Sequence, residues 1–275
     1  MLYLLPLAGM AIGLLISLMG GGGGIFYIII LTGLFHLPVP IAASTSLATI
    51  IPTTLTAFSS HYRQGNIRLE VAWWLILGAI VGAGAGSYVT AWIPVAYQKK
   101  ILGLILLAMF IPMARRNRQP HRAAALPAAG AAAVAGERSL TTGSGGDDPP
   151  SPRSFLQHAL AIFYGLFGGL MSGMVGISGT PPILAGLYAL GLKAREVVGT
   201  SLMVLLAIGI TGVIVHSALG AVNWRIVLWL GAGTVTGAYL GPLLLNYINT
   251  AVLEKIYGPF FFLLVGLFGV YMLVV

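Results

Sequence analysis

The chain has 275 residues, with 14 Lys+Arg against 6 Asp+Glu for a net charge of +8, no cysteine, and 58% hydrophobic residues at a mean hydropathy of +0.96. A soluble globular protein is about a quarter charged; this chain is 7% charged, too little to cover a water-facing surface. That excludes an ordinary soluble domain, and the missing cysteines exclude a disulfide scaffold, a Cys-ligated metal and a cysteine nucleophile.

The composition is that of an integral membrane protein whose surroundings are the lipid bilayer. Its positive charges fall in short clusters between apolar runs, as the positive-inside bias of membrane loops requires. They form no continuous basic face, so no nucleic-acid partner is expected. The first twenty residues, MLYLLPLAGMAIGLLISLMG, are apolar from the second onward and lack a positive leading stretch. They read as a retained first helix rather than a cleaved signal peptide.

A spanning helix needs about 20 apolar residues. In chain order, apolar segments occupy 2–19, 25–36, 41–61, 69–92 and 97–114, then 155–173, 179–191, 196–216, 224–247 and 251–275. The second segment of each set is too short to cross fully and follows a glycine-rich break. Residues 115–153 are rich in Ala, Gly, Pro and Ser without useful periodicity, the composition of a flexible linker. The expected fold is an all-α polytopic membrane protein of about 8–10 membrane segments. A first transmembrane repeat covers 1–114, a cytoplasmic linker 115–153 and a second repeat 154–275.

The repeat is read from an ungapped offset of 155. Thr45-Ser46-Leu47 overlays Thr200-Ser201-Leu202, and the same shift pairs Gly13 with Gly168, Ser17 with Ser172, Gly24 with Gly179, His61 with His216, Trp74 with Trp229 and Lys100 with Lys255. Charge counting gives the orientation. With each half making an odd number of crossings and the linker inside, Arg63, Arg68, six linker arginines, Lys193, Arg195 and Lys255 face inward, and Lys99, Lys100 and Arg225 outward. That division is 11 to 3; parallel halves give 9 to 5. The positive-inside rule favours inverted repeats, with both chain termini outside.

The breaks are SLMGGGGGIFY, with Gly20 to Gly24, and SGMVGISGTPPIL, with Gly173, Gly176, Ser178, Gly179 and Thr180. Glycine permits unwinding and close approach to bare backbone, and Pro181 and Pro182 suit the first turn of a new helix. Each break is expected to end one half-helix and start another whose N–H groups point at the break. Inverted-repeat transporters hold anions between two such discontinuities; close helix packing is the other use of such glycines.

The candidate substrate-binding set is Gly22, Gly23, Gly24, Ile25, Thr45, Ser46, Ser178, Gly179, Thr180, Thr200 and Ser201. Thr49, Thr53, Thr54 and Thr56 weigh less, because only Thr211 matches any of them in the second half. His61 and His216 close equivalent segments and, with Arg63, are candidate gate or proton-relay groups. All six carboxylates, Glu70, Glu137, Asp147, Asp148, Glu196 and Glu254, lie in loops, the linker or segment ends. That disfavours a cation exporter with buried acids. No catalytic constellation, metal set or cofactor motif is present in the sequence, so the chain does not read as an enzyme.

Paired glycine breaks, the Thr-Ser helix after each and the long repeat resemble the TauE/SafE sulfite exporter family, also called the TSUP (toluene sulfonate uptake permease) family. The resemblance covers the chain apart from the linker. It implies transport of sulfur oxyanions and organosulfonates, such as sulfite or sulfoacetate, usually outward across the inner membrane. The family's glycine motifs fall on Gly20 to Gly24 and on Gly173, Gly176, Gly179 and Pro182. The first half departs from the pattern, with Phe26 and Tyr27 where the second has Pro181 and Pro182. The resemblance and the residues together point to a secondary transporter that exports sulfur-containing anions, such as sulfite, sulfoacetate or other organosulfonates, across the inner membrane by alternating access. A channel-like facilitator of a small anion or neutral solute and a non-transporting membrane assembly subunit are the alternatives.

Overall fold

The computed structural model describes residues 4–19, 24–63, 65–117, 155–220, 222–245, 263 and 265–274. The described residues form helices and connecting turns without a strand. In chain order the helices are α1 (Leu5–Met19), α2 (Gly24–Leu34, its last turn π-helical from Ile30), α3 (Val39–Arg63), α4 (Leu69–Trp92) and α5 (Val95–Asn117). They continue with α6 (Phe155–Val175), α7 (Thr180–Ala189), α8 (Ala194–Ala218), α9 (Trp224–Leu245) and α10 (Val265–Val274). Three stretches are long and apolar enough to cross a membrane on their own: Leu69–Trp92, Phe155–Val175 and Glu196–Ala218.

Their outward faces suit lipid. Trp73, Leu77, Val81 and Tyr88 on α4, Ile214 on α8 and Leu228 on α9 are exposed, which in water would make a large apolar patch. Helix ends are stopped by local chemistry. The Glu196 carboxylate accepts the Lys193 N–H at 3.0 Å at the start of α8. The buried Gln98 amide donates to the Thr90 and Ile93 carbonyls at 2.8 and 2.7 Å, satisfying the end of α4. Pro52 sits inside α3 and removes the N–H that would bond one turn back.

Two close helix pairs organise the molecule, and both join the first half to the second. In the first pair, Gly9 and Gly13 of α1 abut the backbone of Leu230 and Thr234 of α9, while Gly233 and Gly237 abut Pro6 and Met10. In the second, Gly78, Gly82 and Gly86 of α4 abut Ile162, Leu166 and Leu170 of α6, while Gly165, Gly169 and Gly173 abut Leu75, Ala79 and Ala83. Residue numbers rise together along each interface, so both pairs are parallel. The four-residue spacing of glycines on facing helices lets the backbones touch, which is where dispersion and Cα–H contacts are strongest between membrane helices.

Helices α3 and α8 span 39–63 and 194–218, matching the 155 offset at both ends. They run antiparallel: Phe58 packs on Val198 and Leu202, and Leu47 meets Gly209 and Gly212. Helices α5 and α10 also cross antiparallel, with Gly103 against Gly269 and Leu273, and Gly269 against Leu107.

One part of the register is corrected. Gly9 and Gly165 occupy the same place against Leu230 and Leu75, which are themselves 155 apart, and so do Gly13 and Gly169. The first helices therefore correspond at an offset of 156. Gly13 matches Gly169, not Gly168, and the sequence pairing of Ser17 with Ser172 shifts likewise. Gly168 faces away from α4, onto Ile183 and Gly179. The flexible linker expected over 115–153 lies largely outside the described residues, as does the segment expected at 251–275 up to residue 262.

Candidate functional site

The second break is built from a helix end that the rest of the protein caps. Helix α6 stops at Val175, and Gly176, Ser178 and Gly179 take positive φ of 73°, 65° and 59° before α7 begins. This left-handed run turns the chain back on itself. Gly168 meets Ile183 and Gly186 meets the Tyr164 ring, so α7 returns antiparallel along α6.

Ending α6 inside an apolar protein frees its last carbonyls, each of which needs a donor. Ser87 and Thr90 of α4 donate to the Gly173 and Met174 carbonyls at 3.4 and 3.2 Å. His216 Nε2 lies 3.2 Å from the Gly173 carbonyl oxygen, which fixes the proton on that nitrogen. Ser46 of α3 donates to the Gly176 carbonyl at 2.8 Å. Ser46 and His216, singled out from sequence as ligand and relay groups, thus serve here as caps on the break. Ser87 and Thr90 were not singled out. Their signal was a pair of hydroxyls three residues apart in an otherwise apolar run.

The start of α2 meets the second break. A Cβ on Gly24 would lie 2.7 Å from both the Ile177 carbonyl carbon and the Ser178 Oγ, so the start of α2 rests directly on the second break. Gly176 in turn rests on Ala43 of α3, where a Cβ would come 2.5 Å from the Ala43 Cα. The Ser178 and Thr180 hydroxyls are 2.9 Å apart and bond each other. Ile25, Ser178, Gly179 and Thr180 are all buried. Gly22 and Gly23 lie outside the described residues. Pro181 and Pro182 carry no N–H, and the Ile183 N–H bonds the Gly179 carbonyl at 3.4 Å. The first turn of α7 therefore has fewer amide donors to give than the proline-free first turn of α2, Gly24–Tyr27.

The matching hydroxyl pairs do not meet. Leu47 lies level with Gly209–Gly212 on α8, so Ser201 is about 12–16 Å along the helix from the level of Ser46 at 1.5 Å per residue. Thr200 accepts the Arg68 N–H at 3.1 Å, and Ser201 donates to the Val198 carbonyl at 2.9 Å. Thr45, by contrast, is fully buried, with no hydrogen-bond partner for its hydroxyl among the described residues. Tyr27 and Ser172 share that property.

Arg63 is exposed at the end of α3, and His61, in the same turn, has a buried Nδ1 without a partner among the described residues. His61 lies towards the start of α8 and His216 at its end. Near His61, the Arg68 guanidinium bonds Glu196 Oε1 at 2.6–2.7 Å, joining the α3–α4 turn to the start of α8. No cluster of His, Asp and Glu among the described residues could hold a metal ion.

A search of known proteins agrees with this architecture at the level of family. The family model for "Sulfite exporter TauE/SafE" matches residues 5–272. "Probable membrane transporter protein YdhB" of Bacillus subtilis (strain 168) is 29% identical over 248 residues, covering 89% of this chain and 90% of that protein. "Probable membrane transporter protein YjnA" of the same organism is 25% identical over 247 residues, covering 86% and 87%. "Probable membrane transporter protein YunE", also from that organism, is 24% identical over 268 residues and covers 92% of each. No solved structure matches the chain. With nearly its whole length matched, the chain is a membrane protein that belongs to the TauE/SafE sulfite exporter family.

Proposed function

We propose that this protein is a secondary transporter that exports sulfur-containing anions, such as sulfite, sulfoacetate or other organosulfonates, across the inner membrane by alternating access. The observation that carries the reading is the seating of Gly24, at the start of α2, against Ile177 and Ser178 in the buried turn between α6 and α7. Family membership and the transporter names of the relatives support a transport role over a purely structural one. An anion there is served by the first-turn amides of α2 and by buried hydroxyls, among which Thr45 has no partner among the described residues. Hydrogen bonds to an ionised acceptor are stronger than neutral ones, so no lysine is required.

The halves are taken as inverted repeats. Helices matched by the 155 offset run antiparallel, as in α3 with α8. The Arg68–Glu196 pair holds the α3–α4 turn and the α7–α8 turn together on one side, whereas parallel halves would set those turns on opposite sides. Rocking of one unit against the other then gives alternating access.

In proteoliposomes, Thr45→Val is expected to lower sulfite or sulfonate flux at least tenfold while the melting temperature stays within a few degrees, because the two side chains are nearly isosteric. Uphill accumulation separates a coupled transporter from a channel-like facilitator. Wild-type flux that no sulfur anion stimulates overturns the reading. The orientation has its own check, made easy by the cysteine-free background. On intact spheroplasts an impermeant maleimide is expected to label the exposed position of Tyr97→Cys and to spare that of Glu70→Cys until the membrane is opened. The opposite pattern overturns the orientation.

A further inference from the structure

Among the described residues, Tyr27 places a large polar group deep in the interior. The residue is fully buried, one turn into α2, and its hydroxyl has no hydrogen-bond partner among the described residues. It faces two other hydroxyls, those of Thr53 on α3 and Thr234 on α9, without meeting hydrogen-bond geometry to either. Thr53 and Thr234 are buried too, and each donates its proton to the carbonyl one turn back, at 3.0 Å to Thr49 and 2.8 Å to Leu230. Those carbonyls already serve the helix, so either hydroxyl can turn to a ligand for a small loss. A phenol buried without a well-formed hydrogen bond is costly, and a ligand that accepts from it removes that cost.

The second half acts as an internal control. At the 155 offset, Tyr27, Thr53 and Thr234 correspond to Pro182, Ile208 and Ala79. The same kinds of helix are thus built with apolar residues at all three places, and packing does not call for the hydroxyls. Their depth is also specific. Thr53 is two residues from the midpoint of α3, Ile51, and Thr234 is at the midpoint of α9. Along α3 the cluster falls between the levels of Ser46 and Ser201, so it lies about midway along both helices.

We propose that Tyr27, Thr53 and Thr234 form an oxyanion-binding triad about midway along α3 and α9, carried by α2 of the first half and completed by α9 of the second. The triad rests on the transport reading above and assigns its anion contact to residues that the glycine breaks and the duplicated Thr-Ser pairs do not include. Three hydroxyls converging from three helices suit the three oxygens of a sulfite or sulfonate group. The contact is off the axis relating the halves, because only one of the two equivalent places carries it. A movement of α2 relative to the α1–α9 pair changes the distance between α2 and α9 and so loads or empties the triad.

The test is Tyr27→Phe in the full chain, with Thr53→Val and Thr234→Val as companions and Ala79→Thr as the control at the equivalent apolar place. Sulfite and sulfoacetate are the probes, read by thermal shift and by proteoliposome flux. The expected result is an unchanged or slightly higher ligand-free melting temperature for Tyr27→Phe, with at least a tenfold loss of apparent affinity. Thr53→Val and Thr234→Val should lose several-fold, and Ala79→Thr should bind like wild type. If wild type binds and carries these anions and Tyr27→Phe does so equally well, the triad is overturned and the transport reading stands. If wild type neither shifts nor carries any of them, both fall together.

Discussion

Replacing Gly82 by valine is expected to remove most folded, monodisperse protein from detergent extracts, whereas Gly84→Ala, two residues along the same helix, leaves yield and melting temperature unchanged. The difference is one of direction. Even a Cβ at Gly82 would overlap the Leu166 carbonyl oxygen and come 2.8 Å from the Leu170 amide nitrogen. Both are backbone atoms that move only if α4 and α6 separate. A Cβ at Gly84 meets nothing closer than the Thr211 methyl at 4.0 Å. Overpacking a core usually costs about 1–3 kcal/mol because side chains give way; here backbone would have to, so about 3 kcal/mol or more is expected. Size-exclusion profiles and thermal unfolding of the two variants measure it. A folded Gly82→Val protein with a wild-type melting temperature would refute the close α4–α6 contact.

The second large effect is expected at Gly176→Ala, where conformation and space act together. Its φ of 73° is one that an L-residue reaches at a cost of about 1–2 kcal/mol. The added methyl would also lie 2.5 Å from the Ala43 Cα and 2.9 Å from its carbonyl oxygen. Gly191→Ala separates the two contributions, since its φ is 80° and a Cβ there meets nothing within 4 Å. Gly191→Ala is expected to lose about 1 kcal/mol and to transport normally. Gly176→Ala should lose clearly more and should also lose flux per folded molecule, because the Gly176 carbonyl that accepts Ser46 is displaced. Equal losses in the two variants would mean that the break does not press on α3.

Much of the helix layout was legible in the sequence. Apolar length and punctuation placed α4 at 69–92 and α9 from 224, and the 155 offset anticipated the matching limits of α3 and α8. The first-helix register was not legible, for a specific reason. Gly168 and Gly169 are neighbours, and a string of letters does not say which of them faces α4; helix rotation decides that. The site was harder still. Thr45-Ser46 and Thr200-Ser201 are identical dipeptides in equivalent helices, yet Ser46 donates to the second break, whereas Ser201 bonds its own helix and Thr200 accepts from Arg68. Their side-chain partners depend on what the other half brings alongside. Matching between halves also draws attention away from residues that one half alone carries. Thr53 was weighted low because the second half has Ile208 in its place, and Tyr27 was noticed only as a missing proline. Duplication is a good guide to scaffold and a poor one to a feature that a single copy carries.

The cross-half pairing of α1 with α9 and of α4 with α6 bears on how the chain is made. When the ribosome has delivered α4 to the membrane, the glycine face that will receive α6 has no partner, and more than sixty further residues must be synthesised before α6 begins. Helix α1 waits longer, because more than two hundred residues separate its end from the start of α9. The first half thus enters the bilayer as separately inserted helices with open grooves. Its assembly is completed only by the last third of the sequence, so translation order and folding order are necessarily out of step.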